Sequence, residues 1–317
     1  MSYRVVEGLT GDPPAERAAL VAGLRAKPAA IPPKYFYDPL GCALYGAICE
    51  LPEYYPTRTE RAIFEANRVD IANAIGTGAQ FVDLGSGDGS KAEGWLPFLV
   101  PARYLAVDIA ADALERSLAR LSGRFPDIEM VGIVTDFTAG PEPSTELGEG
   151  PVTFFYPGSS IGNFTPEEAI DFIRRIEVVC EARPGSGLLI GVDTKKDKAR
   201  LDAAYDDALG VTALFNRNVL NHVNRVLGSD FDPAAFAHRG FYAEGHGRIE
   251  MHLEARSLQA VRLDGETRVF EAGERIHTEN SYKYTPDEFE TLIACAGFST
   301  VRRWQDPRGD FAVFWAA

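Results

Sequence analysis

The sequence predicts an α/β protein: a doubly wound, mostly parallel sheet of seven strands, with a second α+β domain formed by the N-terminal segment and an insertion. Three observations carry that prediction. Between roughly residues 60 and 195, short runs rich in Val, Ile, Leu and Phe alternate with segments of helical periodicity, the pattern of consecutive βαβ units. The first apolar run ends in three closely spaced glycines, Gly85, Gly87 and Gly89, and a helix-like stretch follows. Past residue 195 the alternation stops and a different pattern begins, before a closing helix and two strands.

The elements follow in order. TRTERAIFEANRVDIANAI opens on Thr57-x-x-Glu60, which reads as a capping box, and continues with helical apolar spacing. QFVDLG, RYLAVDI, IEMVGIVTD, VTFFYPGS and GLLIGVD read as buried strands, with ADALERSLARL and PEEAIDFIRRIEVVC among the helices between them. TAGPEPSTELGEGP, ahead of the fourth strand, reads as a flexible loop. Residues 196–240 read as helical, with Gly210 placed to interrupt them. RIEMHLEARSLQAVRLDGETRVFEAGERIHTE then shows period-2 runs around an Asp264-Gly265 turn signal, as antiparallel strands do. PDEFETLIACAGF is a helix, and STVRRWQ and FAVFWAA are strands joined by DPRGD, which completes an open sheet whose last strand is antiparallel. The expected layout is discontinuous: one domain over 61–195 and 284–317, the other over 1–60 and 196–283.

Composition narrows the partners. The 317 residues are 45% hydrophobic, enough for a sizeable core, and 32 Lys+Arg against 46 Asp+Glu leave a net charge of −14. That field repels phosphate backbones and anionic lipid, so neither nucleic acid nor a membrane surface is expected as a partner. The opening MSYRVVEGLTGDPPAERAAL lacks the basic and apolar regions of a signal peptide. No apolar stretch reaches the roughly 20 residues that cross a bilayer. Cys42, Cys49, Cys180 and Cys295 show no C-x-x-C spacing, and the five histidines show no metal-ligand spacing. A cytoplasmic, metal-free protein is expected.

FVDLGSGDGSK is the most informative segment. Glycines let the backbone turn sharply and let a ligand approach, and the order strand, loop, helix directs that approach to free N–H groups. RYLAVDIA ends its strand with Asp108, about 20 residues past the glycines, where a carboxylate can accept both hydroxyl protons of a ribose. The next strand runs out at Asp136-Phe137, an acid for an adenine amino group and a ring to cover the base. The glycine spacing is G-x-G-x-G, whereas nicotinamide dinucleotide folds use G-x-G-x-x-G, and the P-loop register does not fit GSGDGSKAE. Together with the terminal hairpin, this favours S-adenosylmethionine as the cofactor, with S-adenosylhomocysteine as its product.

Further blocks carry a resemblance. PPKYFYDPLGCALYGAICELPEYYPTRTE, FVDLGSGDGSK, FYPGSSIGNFTPEEA, AYDDALGVTALFNRNVLNHVNR and RIEMHLEA with HTENSYKY resemble the histidine-specific, S-adenosylmethionine-dependent Nα-methyltransferases of ergothioneine biosynthesis. The similarity runs from about residue 15 to the carboxyl terminus. It implies a Rossmann-like class I methyltransferase fold, a monomer, and stepwise conversion of L-histidine into Nα,Nα,Nα-trimethylhistidine (hercynine). It further implies Gly85 and Lys91 near the methionine part of the cofactor, Gly87 in contact with the cofactor, Asp108 at the ribose, and Asp136 with Phe137 at the adenine. Asn163 and Tyr205 would hold the amino and carboxylate ends of the substrate, and Tyr54, Glu279 and Ser281 would read the imidazole. Met251 would line the pocket wall, and Tyr37 would stand close to the amine. The same fold also admits methylation of another amino acid, such as tryptophan or a histidine derivative, or a cofactor-binding regulator without turnover.

By pattern alone several of these residues have plainer roles. Asp108 reads equally as a helix cap, Asn163 as a turn residue before the helix that Thr165 caps, and Tyr205 and Met251 as core packing. Lysines in a first helical turn, such as Lys91, usually face solvent. Glu279 and Ser281 share one face of a strand-like segment and would pass for a solvated edge. Between Pro52 and Pro56 the backbone is restricted, so Tyr54 and Tyr55 point opposite ways, one to a pocket and the other to packing; the resemblance gives Tyr54 the ligand and leaves Tyr55 to anchor the seam.

Overall fold

The computed structural model describes residues 3–8, 13–138 and 146–317; the core of the loop expected to be flexible, 139–145, lies outside them. Along the chain, β1 (Tyr3–Glu7) precedes α1 (Pro13–Arg25), the two-residue β2 (Ala29–Ala30), α2 (Pro39–Cys49) and α3 (Pro56–Ile75). Asp38 starts α2 by accepting from the Gly41 N–H at 2.7 Å, and Pro39 fills a first-turn position that needs no donor. Then come β3 (Gln80–Leu84), the single turns α4 (Ser90–Glu93) and α5 (Leu96–Leu99), β4 (Arg103–Asp108), α6 (Ala111–Arg124) and β5 (Glu129–Val134). β6 (Val152–Tyr156), α7 (Pro166–Glu181) and β7 (Gly187–Asp193) follow. Next are α8 (Lys198–Tyr205) and α9 (Val211–Leu227), then β8 (Phe236–Ala243), β9 (Arg248–Ala255), β10 (Gln259–Leu263), β11 (Glu266–Phe270) and β12 (Arg275–Tyr282). The chain closes with α10 (Pro286–Ala296), β13 (Val301–Gln305) and β14 (Phe311–Ala316).

Two compact units result. The first comprises Met1–Thr10, Arg58–Thr194 and Tyr284–Ala317. Its sheet has the order β1-β5-β4-β3-β6-β7-β14-β13, parallel except for β14, which runs against both neighbours. β3, β6, β7 and β14 are buried at every position, which is why they read as continuous apolar runs instead of alternating. On one face, Phe81, Tyr104, Phe155 and Leu189 pack with Ile63, Phe64, Leu114 and Leu118 from the helices and with Trp95 between α4 and α5. On the other, Phe172 of α7 meets Tyr156 and Phe289 of α10 meets Phe314. Strand order reverses between β3 and β6, and ligands of doubly wound sheets bind at the carboxyl ends beside such a reversal.

The second unit comprises Gly11–Thr57 and Lys195–Lys283. A sheet of order β2-β12-β9-β8 packs on α1, α2, α8 and α9 through Leu20, Phe36, Phe215, Val219, Ile249 and Leu253. β10 and β11 form a separate hairpin. Its turn residues Asp264 and Gly265 both have positive φ, 52° and 81°, as the D-G signal requires.

Four expectations need correction. The sheet has eight strands, because Tyr3–Glu7 pairs in parallel with Met130–Val134 on its edge instead of grouping with the residues that follow it. The helical stretch ends at Leu227, where Gly228 adopts φ 68°, and Phe236–Ala243 is a strand with half its positions turned away from the core. Gly210, at φ 73°, does separate the two helices. α3 begins at Pro56, and Glu60 closes no capping box: its oxygens accept from the Gly158 N–H and from Lys91, each at 2.7 Å. Lastly, the face of β12 that carries Glu279 and Ser281 is buried and not a solvated edge.

Candidate active site

In the first unit, the carboxyl ends of β3, β4 and β5 assemble one set of groups. Gly85, Gly87 and Gly89 have φ of 74°, 53° and 69°, a region costly for any residue with a Cβ. The space where a Cβ at Gly87 would stand is open, and one at Gly85 would lie 3.7 Å from the Phe137 ring. The loop is tied to the next strand: Gly87 N–H donates to Asp108 Oδ2 at 2.8 Å, and Ala110 N–H donates to Asp108 Oδ1 at 2.9 Å. Burial raises the Asp108 pKa, while the N–H groups of Ala110, Gly87 and Ile109 oppose the shift. Each carboxylate oxygen keeps a lone pair, so Asp108 can still accept from two hydroxyls. Phe137 stands edge-on to Tyr156 with centroids 5.8 Å apart. Asp136 accepts from the Thr138 N–H at 3.2 Å. An open backbone cradle, a two-lone-pair acceptor and an aromatic face suit an adenosine.

Lys91 lies within this unit but is held by Glu60, which is 1% exposed. Asn163 ends the 3-10 turn Ser160–Asn163 after β6, just ahead of Thr165, which forms a capping box with Glu168. Its side chain makes no hydrogen bond to another described residue. Beneath the glycine loop, Asp83 was not singled out by sequence. Burial pushes its carboxyl up to about 7, against the hydrogen bond that Tyr104 donates at 2.9 Å.

The second unit gathers the remaining candidates. Tyr54 is edge-on to Tyr205 at 6.1 Å and to Tyr45 at 6.5 Å. Burial first, and the neighbouring Tyr45 second, raise its pKa well above the ordinary phenol. Tyr55 points elsewhere: its ring lies 4.5 Å from both Lys196 and Arg200, and its hydroxyl accepts from Lys196 at 2.7 Å. Tyr37 is one ring removed, edge-on to Tyr45 at 6.2 Å. Met251 is 2% exposed and sits opposite Glu279 in the β9–β12 register.

A β-bulge explains Glu279. The register shifts between His277 and Glu279, with Thr278 as the extra residue. Ile276 pairs with Leu253 before it, and Glu279 and Ser281 pair with Met251 and Ile249 after it, so all three share the buried face. Thr278 is pinned: its hydroxyl lies 2.8 Å from Asn216 Oδ1 and 3.0 Å from the Met251 carbonyl. Glu279, 8% exposed, has no hydrogen-bond partner for its carboxyl among the described residues. Burial pushes it up to about 7, with Lys283 pulling the other way. Ser281 Oγ lies 3.0 Å from Tyr205 Oη, and Lys283 Nζ donates to both. Lys283 was missed by sequence, although its period-2 spacing from Glu279 and Ser281 was a usable signal. Among the described residues, no three His, Cys, Asp or Glu side chains converge as a metal site.

A family profile described as histidine-specific methyltransferase, SAM-dependent, matches residues 16–317. The chain is 40% identical over 322 residues to a protein named histidine N-alpha-methyltransferase from Mycolicibacterium smegmatis, covering 99% of this chain and 98% of that one. A protein of the same name from Mycobacterium tuberculosis is 39% identical over 308 residues, covering 95% and 94%. Ergothioneine biosynthesis protein 1 of Neurospora crassa is 29% identical over 297 residues, covering 87% of this chain and 32% of that longer protein. Since the profile spans all but the first few residues and agrees with a Rossmann-like class I methyltransferase sheet, the chain belongs to the histidine-specific, S-adenosylmethionine-dependent methyltransferase family.

Proposed function

We propose that this enzyme transfers methyl groups from S-adenosylmethionine to the α-amino group of L-histidine, three times, to give hercynine for ergothioneine biosynthesis. What supports the choice of histidine is Glu279. A buried carboxyl with no partner is unfavourable by roughly 1–3 kcal/mol, and a ligand N–H at that position removes the penalty. An imidazole supplies that N–H. A side chain without it leaves the charge unpaired, and sites of this kind reject such analogues by up to ~10⁴–10⁵.

S-adenosylmethionine supplies a methyl carbon already activated by its sulfonium, so the protein's task is alignment. In this reading Gly85, Gly87 and Lys91 hold the methionine part of the cofactor, Asp108 the ribose hydroxyls, and Asp136 with Phe137 the adenine. Thus the first unit is the cofactor domain and the second the substrate domain. Tyr54, Glu279 and Ser281 bind the imidazole beside Met251. Asn163 and Tyr205 take the amino and carboxylate ends. The nucleophile is a neutral amine, and α-amino groups titrate at about 7.7–8.0 in peptides and higher in a free amino acid. No side-chain base is assigned to it; water carries the proton away past Tyr37. Asn163 bonds the amine in the first round and must release it as methyls accumulate. We read the protein as a cytoplasmic monomer acting on the free amino acid, with no nucleic-acid or membrane partner. No helix among the described residues is long and apolar enough to cross a membrane.

Mass spectrometry of purified protein incubated with S-adenosylmethionine and mixed amino acids tests the reading. Histidine should gain three methyl groups; methylation of a different amino acid would overturn the substrate, and cofactor binding without product would overturn turnover. Glu279→Ala is expected to lose histidine turnover while keeping S-adenosylhomocysteine affinity.

A further inference from the structure

Glu60 of α3 is 1% exposed, a depth at which a carboxylate needs donors for its charge. It has one for each oxygen: the Gly158 N–H donates to Oε1 and Lys91 Nζ donates to Oε2, both at 2.7 Å. The two donors also touch each other, since a Cβ at Gly158 would stand 2.9 Å from Lys91 Nζ. Room for the carboxyl comes from β7, where a Cβ at Gly191 would fall 2.2 Å from Glu60 Oε1 and 2.9 Å from the Phe311 ring. All of these residues belong to the first unit.

Each donor leads to a part of the proposed site. An ammonium carries three N–H groups, and Glu60 is the only hydrogen-bond partner of the Lys91 ammonium among the described residues. The Lys91 side chain is 34% exposed, so two N–H groups remain for an anion such as the cofactor's carboxylate. A lysine held in place by a buried carboxylate has already given up the rotamer freedom that a free one loses on closing over a ligand. The methionine end of the cofactor carries an ammonium beside its carboxylate, so the fields of Glu60 and Lys91 on it largely cancel and direction decides. The other donor opens the loop to Asn163. Gly158 has φ 82° and Ser159 has φ 61°, left-handed backbone that a residue with a Cβ adopts at a cost. Two bonds keep it there: the Gly158 N–H to Glu60, and the Asp193 N–H to Ser159 Oγ at 2.9 Å. The Gly162 N–H then donates to the Ser159 carbonyl at 2.9 Å, within the 3-10 turn that ends in Asn163.

We infer that Glu60 is a positioning residue for methyl transfer: one buried carboxylate fixes both the ammonium that takes the cofactor's carboxylate and the loop that presents Asn163 to the substrate amine. This rests on the assignment of Lys91 to the methionine part of the cofactor and of Asn163 to the amine.

Titration calorimetry with two probes tests this: S-adenosylhomocysteine, and 5′-methylthioadenosine, which keeps the adenosine and the sulfur but has no amino-acid part. Glu60→Ala should lose about tenfold in S-adenosylhomocysteine affinity, the worth of roughly one hydrogen bond to a charged group, and nothing in methylthioadenosine affinity. A loss shared equally by both probes, or by neither, would overturn the proposal, because a merely structural residue moves both alike. Lys91→Met should show the same selective loss, and Glu60→Ala added to it should lower S-adenosylhomocysteine affinity no further; additive losses would mean that Glu60 does not act through Lys91. Unchanged S-adenosylhomocysteine affinity in Lys91→Met would overturn the assignment of Lys91 and this proposal with it, whereas an impaired Lys91→Met beside an unimpaired Glu60→Ala would overturn the role of Glu60 alone. In Glu60→Ala the histidine KM at saturating S-adenosylmethionine should also rise; a KM that holds would overturn the half that runs through Gly158. Glu60→Gln, of the same shape with a neutral acceptor, serves if the alanine variant does not fold, and the same selective loss in smaller measure is expected of it.

Discussion

Asp108 and Glu279 are both buried carboxyls, yet their surroundings are opposite. Asp108 receives two backbone N–H groups, so its charge is supported before any ligand arrives. Asp108→Asn exchanges an acceptor for an amide facing one of those donors. It should weaken S-adenosylhomocysteine binding by about 10–100-fold in titration calorimetry, the range of a lost hydrogen bond to a charged group. Glu279 has no such support, and its pKa rises from 4.5 to about 7. Between those values the folded protein keeps a proton that the unfolded chain has lost. Stability contributed by this group is therefore highest below 4.5 and falls as pH rises to about 7. The penalty above that is on the order of 3 kcal/mol. Glu279→Gln should accordingly be more stable than wild type in urea near pH 8, with the difference shrinking near pH 5; an equal or less stable variant near pH 8 would mean that the carboxylate has a partner. The existence of this carboxyl is plain in the sequence, but its isolation is not, because that depends on what fails to surround it.

At the scale of elements, the bulge in β12 decides what the second unit presents. A one-residue shift moves every later side chain to the opposite face. Without Thr278 as the extra residue, Glu279 would share the outer face with His277 and Arg275. Asn216 of α9, fully buried, holds the shift: it accepts from Thr278, and its amide nitrogen lies 2.8 Å from His238 Nδ1 and 3.1 Å from the His252 carbonyl. Asn216→Ala should cost about 2–3 kcal/mol in denaturant unfolding, because several buried polar groups lose partners at once. Histidine KM should rise while S-adenosylhomocysteine affinity holds; a change in both alike would assign Asn216 a merely global role. The glycine loop was legible because its physics is local. Positive φ at Gly85, Gly87 and Gly89 needs glycine wherever the chain goes next. The bulge was not, since its anchor lies 62 positions away in sequence.

For the whole molecule, the two ends of the chain carry unequal weight in the same sheet. β1 is an edge strand with most positions partly or fully exposed, whereas β14 is buried throughout between β7 and β13. Removing residues 1–8 should lower the melting temperature by a few degrees and leave histidine methylation in place. Removing residues 311–317 should abolish cooperative folding, because it opens the sheet along both flanks and exposes Phe311, Phe314 and Trp315. Circular dichroism melts of the two truncations separate these outcomes, and loss of folding in the N-terminal deletion would contradict the edge assignment.

Strand–helix alternation, the G-x-G-x-G loop and the acids at the strand ends, Asp108 and Asp136, were determined by the sequence itself, since periodicity and backbone sterics act between near neighbours. Only the tertiary structure decided that Glu60 reaches Lys91 and Gly158, that Tyr3–Glu7 joins the large sheet, and that Lys283 sits beneath Ser281 and Tyr205. Those choices are made by partners far apart along the chain, where burial and register select one among several arrangements that the local pattern permits equally.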